Sequence, residues 1–253
     1  MGDKIGGVTI VPPKELCAHP AAQVFLSVRR HGTSYQQEFV EQLRGMGIAP
    51  QQIVRVDRDI VDRFEQYQYF DLPVLHPAKD EVFVDAGAFD GQTSECFASW
   101  AGEYGHIYAF EPSPSNQQKI RTAFADVPSG KFTLFPYGVW NEKTELHFTD
   151  KGTASGSFQE DGELSLPVIS IDEALGGRRA TFIKMDVEGC ECAALEGARQ
   201  TIQTYHPKLA ICVYHKKSDI LEVPQTILAL SPDYRFYLRH YSLSRFETVL
   251  YAV

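Results

Sequence analysis

Residues 82–93 read Val-Phe-Val-Asp-Ala-Gly-Ala-Phe-Asp-Gly-Gln-Thr, an apolar run of strand length that breaks at Asp85-x-Gly87-x-x-x-Gly91 and passes into a helix-like segment. A buried strand followed at once by glycines and a helix opens an α/β unit. The glycines permit a tight turn, and they let a ligand approach the backbone at the carboxyl edge of a sheet. The downstream chain repeats the same rhythm. Apolar runs at 82–85, 107–111, 132–135, 182–186 and 209–214 alternate with helix-length segments, as a parallel sheet covered by helices on both faces requires. The expected fold is therefore a doubly wound, mostly parallel α/β sheet of the Rossmann-like kind.

Smaller features fill in this frame. Residues 145–149 and 166–169 read as extra strands around a Gly- and Ser-rich loop at 150–162. A helix at about 223–230 leads to two β-rich runs, 234–238 and 248–253, which are expected to pair antiparallel at the end of the sheet. Upstream, an apolar run at 24–28, a helical stretch at 34–46 opened by Ser34 and stopped by Gly45 or Gly47, and a second apolar run at 53–56 form one strand–helix–strand unit. Aromatic and acidic residues at 61–72 end at Pro73 and Pro77. These signals divide the chain into a small α/β extension with its linker at 1–75 and a main domain at 76–253.

Composition narrows the function classes. No apolar run approaches the roughly 20 residues of a membrane span, and the N-terminus lacks an export signal, so no membrane span and a cytoplasmic location are expected. Cys17, Cys96, Cys190, Cys192 and Cys212 lack the paired C-x-x-C spacing of zinc sites and read as reduced thiols, with Cys190 and Cys192 a weak metal hint. A net charge of −9 argues against nucleic acid as a partner, since phosphate binding wants a basic face.

The chemistry sits at the strand ends. A dinucleotide pyrophosphate prefers a Gly-x-Gly-x-x-Gly loop, and a carboxylate at Asp85 opposes it; a cationic sulfonium and amino group tolerate that acid. The second strand ends at Glu111, about 20 residues after the glycine turn, where a doubly wound fold places the acceptor for ribose hydroxyls. The fourth runs Ile183-Lys184-Met185-Asp186-Val187-Glu188-Gly189, setting Asp186 and Glu188 at the crevice beside the first strand, unless they cap the next helix. Lys184 alternates with Asp186 on the strand and is expected to pair with an acid. The fifth ends Tyr214-His215-Lys216, and a histidine at that edge is a candidate base or metal ligand.

These blocks, 81–93, 107–114, 183–191, 209–216, and the closing Tyr237-Leu238-Arg239-His240-Tyr241 with 248–252, resemble the FkbM-type family of S-adenosylmethionine-dependent methyltransferases over about residues 65 to 253. The resemblance implies a class I methyltransferase sheet of seven strands with the last antiparallel, and O-methylation of a hydroxyl on a sugar, glycan or small metabolite. It implies a cofactor turn of Asp85, Gly87 and Gly91, with Ala88 and Thr93 in the same segment, and Glu111 on the ribose. Asp186, Glu188 and His215 then form the catalytic set. Asp186 and His215 are the candidate bases; alternatively the three hold a divalent cation such as Mg2+ that acidifies the acceptor. Two rival readings are a non-catalytic scaffold that binds a nucleoside cofactor and a nicotinamide-dependent oxidoreductase, whose phosphate loop is missing here. Residues up to about Val61 fall outside the resemblance.

Overall fold

The computed structural model describes residues 4–5, 8–9, 12–26, 34–55, 68–149, 157–158, 164–242 and 245–253. The chain forms two compact units, Met1–Gln66 and Tyr67–Val253. In the first, strands Val24–Leu26 and Ile53–Arg55 pair in parallel and helix Ser34–Gly45 lies between them in sequence. Leu26, Val40, Leu43 and Ile48 form its small core. The expected strand residues 27–28 and 56 lie outside the described residues. The division falls at 66/67 rather than at 75, because Tyr69, Phe70, Leu72 and Leu75 pack into the core of the second unit.

The second unit begins with β1 (Glu81–Ala86), α1 (Gln92–Ala101), β2 (Tyr104–Phe110), α2 (Pro114–Ala123) and β3 (Phe132–Phe135). A side sheet follows, built from β4 (Gly138–Val139), β5 (Thr144–Thr149), β6 (Ser157–Phe158) and β7 (Leu164–Ile169) in the order β6-β5-β7-β4. The rest of the expected loop, 150–156 and 159–162, lies outside the described residues. The chain continues through α3 (Ile171–Leu175), β8 (Phe182–Met185), α4 (Glu191–Glu196), α5 (Arg199–Tyr205) and β9 (Lys208–Cys212). It closes with α6 (Asp219–Leu230), β10 (Phe236–His240) and β11 (Thr248–Ala252).

The main sheet has seven strands among the described residues, in the order β10-β11-β9-β8-β1-β2-β3. β9, β8, β1, β2 and β3 are parallel, and β11 runs antiparallel to both β9 and β10. The expected antiparallel pair is therefore present, with the final strand inserted one place in from the edge. Successive strand residues point to opposite faces. Val84, Ala86, Ile183, Met185, Leu209 and Ile211 meet helices α3 to α6 on one face. Phe83, Ile107, Phe182 and Ala210 meet α1, α2 and residues 69–75 on the other. There Phe83 stacks on Phe97 of α1 at 4.3 Å between centroids and meets Phe182 edge-on at 5.5 Å.

α6 starts at Asp219, before the expected residue 223. Pro224, which lacks an N–H, reads in sequence as a first-turn residue but lies inside the helix. Asp219 and Glu222 suit the positive end of the helix, and Asp219 also accepts the Lys216 N–H at 2.6 Å. No helix among the described residues is long and apolar enough to cross a membrane. Cys17, Cys96, Cys190, Cys192 and Cys212 are all free.

Candidate active site

The parallel topology brings the carboxyl ends of β1, β2, β8 and β9 to one edge, and the charged residues gather there. Gly87, with φ +79, turns the chain out of β1. A Cβ at this position would lie 2.0 Å from the Asp186 carbonyl oxygen, so only glycine lets the ends of β1 and β8 approach this closely. Gly91, with φ +94, sits immediately before α1. Between them the Gly87 and Ala88 N–H groups both donate to the Phe110 carbonyl, at 3.1 and 3.0 Å. Gly87→Ala is expected to lower the unfolding midpoint, because the added Cβ would meet backbone; thermal unfolding checks it.

Glu111 follows β2 and is nearly buried. Its carboxylate accepts the N–H groups of Phe89 at 2.9 Å and Ser113 at 2.8 Å. Burial pushes its pKa up against those hydrogen bonds. Thr93 lies half-buried in the first turn of α1. Asp85 departs from the expected position. It is fully buried, paired with Lys184 Nζ at 3.0 Å and accepting Ser94 Oγ at 2.7 Å. Strand alternation explains this: Asp85 shares the face of Phe83 and so lies under α1, away from the open edge.

Beyond β8 and β9 the three expected catalytic residues converge. His215 Nε2 lies 3.3 Å from Asp186 Oδ1 and 3.5 Å from Glu188 Oε2, and its Nδ1 lies 2.9 Å from Glu191 Oε1. Glu191 was not singled out from sequence; it is the buried acid that orders the loop. Its Oε1 accepts the Val187 N–H at 3.1 Å and the Gly189 N–H at 3.4 Å, so neither Asp186 nor Glu188 takes the capping role weighed above. Glu188 itself has φ +56, a left-handed conformation that costs of order 1–3 kcal/mol in a side chain of this size. Glu191 and Lys216, whose Nζ donates to the Gly189 carbonyl, clamp the loop in that shape.

Asp186 is held as firmly. Tyr214 Oη donates to it at 3.1 Å and Tyr69 Oη at 3.2 Å. Tyr69, at φ +75, donates its N–H to Tyr251 Oη at 3.0 Å and is a buried strut of the site.

The charges divide the roles. Burial would raise Asp186, but His215, Lys184 and Tyr214 outweigh it and bring it down to about 2. Burial would lower His215, yet the Asp186 and Glu191 carboxylates lift it to about 10. Burial together with Asp186 and Glu191 overcomes the pull of His215 and raises Glu188 to about 7. At neutral pH the cluster is a fixed anion, a fixed imidazolium and one carboxyl poised to titrate.

The ligand atoms of Asp186, Glu188 and His215 lie within 4.8 Å of one another, a spacing that admits a cation. Burial pushes the Cys190 and Cys192 thiols up, away from the thiolate a metal would require.

A family model described as the methyltransferase FkbM domain matches residues 85–238, from the first strand end to the edge strand β10. The chain belongs to the FkbM methyltransferase family. The FkbM methyltransferase of Methylobacillus flagellatus KT is 22% identical and aligns over 98% of this chain and 79% of its own, with a TM-score of 0.65. This FkbM-family chain thus has the class I methyltransferase fold. Two others are more distant: Aeropyrum pernix fibrillarin with bound S-adenosyl-L-methionine, 13% identical over 73% of this chain and 70% of its own with a TM-score of 0.47, and precorrin-6y C5,15-methyltransferase of Geobacter metallireducens GS-15, 11% identical over 77% and 85% with a TM-score of 0.44. No curated protein matches the chain.

Proposed function

We propose that this FkbM-family chain binds S-adenosylmethionine at the β1–β2 edge and methylates a hydroxyl oxygen of a sugar, glycan or small metabolite, with Glu188 as the proton acceptor. The observation that carries the reading is the meeting of Asp186, Glu188 and His215 beside the glycine turn, with only Glu188 near neutral pKa. The residues present fit the donor: Gly87 and Gly91 let a ligand approach the turn closely, Glu111 after β2 would accept from ribose hydroxyls, and the nearby acids suit a sulfonium rather than a pyrophosphate. When bound, S-adenosylmethionine supplies an electrophilic methyl carbon.

An alcohol is a weak nucleophile at neutral pH, so the protein must align it and take its proton. Glu188 is the group suited to that task. Its pKa of about 7 leaves it half ionised at neutral pH and still basic enough to accept a proton. Asp186, at about 2, is too weak a base, and His215, at about 10, already carries its proton. Asp186 orients the imidazolium, and the imidazolium stabilises the negative charge shared by Asp186 and Glu188. A net charge of −9 favours a neutral hydroxylated acceptor over a nucleic acid.

The test is calorimetric titration with S-adenosylhomocysteine followed by labelled-methyl transfer to a panel of sugars, glycans and hydroxylated metabolites. Saturable binding and label in an ether linkage support the reading; a folded protein that binds no S-adenosylhomocysteine overturns it. Turnover is expected to be unchanged after EDTA treatment, since His215 rather than a metal provides the positive charge. A loss of turnover restored by magnesium would reassign the same three side chains as ligands.

A further inference from the structure

We infer that Lys184 is the positioning residue of the cofactor turn, holding the Gly87 peptide in place, and that Asp85 serves as its buried counter-ion rather than as a ligand of the donor. The inference rests on the S-adenosylmethionine reading above. Lys184 stands opposite Asp85 in the β8–β1 register and is 2% exposed. Its Nζ lies 3.0 Å from Asp85 Oδ1, 2.7 Å from the Gly87 carbonyl and 3.4 Å from the Ala86 carbonyl. Three acceptors thus meet the three N–H groups of one ammonium.

The contact with Gly87 gives this buried pair a task beyond packing. The N–H of Gly87 is held by Phe110 and its carbonyl by Lys184, so the orientation of this left-handed residue is set from both sides. Asp85 keeps the ammonium charged at depth, and Ser94 of α1 ties down the remaining carboxylate oxygen. Replacing a buried ion pair by apolar residues of similar volume is often harmless to stability, so stability alone does not explain a lysine here. The ammonium also sits 5.4 Å from the centre of the Tyr69 ring, whose hydroxyl reaches Asp186. One cation therefore underlies both the cofactor turn and the acid on the reaction side.

The experiment compares the wild type with Lys184→Met and with the double variant Asp85→Leu/Lys184→Met, by calorimetric titration of S-adenosylhomocysteine and by thermal unfolding. Lys184→Met leaves Asp85 buried without its counter-ion and is expected to lose both affinity and thermal midpoint. The double variant is expected to regain the midpoint but to bind about 10- to 100-fold more weakly than wild type, the size of one lost hydrogen bond to a charged group. Wild-type affinity in the folded double variant overturns the inference, since the pair would then serve only the fold. Failure of the double variant to fold overturns it as well. Absence of binding in the wild type is a separate result that removes the donor reading on which the inference stands.

Discussion

Glu188→Gln is expected to lower turnover by about 10²–10⁴-fold, the usual worth of a positioned general base, while S-adenosylhomocysteine affinity stays at the wild-type level. Glutamine keeps the shape of the side chain and removes the proton acceptor. The wild-type rate should rise with pH through about 7, where Glu188 ionises. It should fall again near 10, where His215 loses the proton that balances Asp186 and Glu188. Because the three groups interact, the two limbs belong to the cluster as a whole, and Glu188→Gln should erase the first of them. Steady-state rates against pH at saturating donor decide the matter. A variant that retains both its turnover and the ascending limb would remove Glu188 from the role.

His215→Ala carries the largest expected effect on stability. The imidazole is 9% exposed and stands between Asp186, Glu188 and Glu191, so its removal takes away the cation that all three acids share. Breaking a buried pair in this way costs about 3–5 kcal/mol, and the partial exposure of Asp186 and Glu188 places this case toward the lower end. The sign of the pH dependence follows from the direction of the shift. The folded pKa, about 10, lies above the ordinary value of 6.5, so the stabilisation is fully present below 6.5 and is lost as pH rises through about 10. The wild-type unfolding midpoint should therefore decline across the alkaline range, and the gap between wild type and variant should narrow there. Equal midpoints for the two proteins at pH 6 would contradict this account.

The interior of the second unit is legible in the sequence because its central strands are buried on both faces. Runs such as 182–185 and 209–212 contain apolar residues facing both ways, and punctuation by glycine and proline bounds them. The gathering of Asp186, Glu188 and His215 is legible for the same reason: parallel strands put their carboxyl ends on one edge, whatever their separation in the chain. The start of α6 is not, since Pro224 looks like a boundary. The close of the first unit at Gln66 is equally hidden, because residues 69–75 betray their place only through contacts with distant strands.

The sequence by itself determined the family, the alternation of the main strands with helices, and that Asp186, Glu188 and His215 lie at strand ends on one edge, but it misplaced Asp85 and passed over Glu191. Local patterning suffices for these, since period and turn chemistry are written in neighbouring residues. Tertiary structure alone decided what each charged group does. Asp85 and Lys184 are 99 residues apart, as Tyr69 and Asp186 are 117 apart, and no local pattern records such pairings. The division of roles among Asp186, His215 and Glu188 depends on burial and on the distances between charges, and those exist only once the strands have assembled.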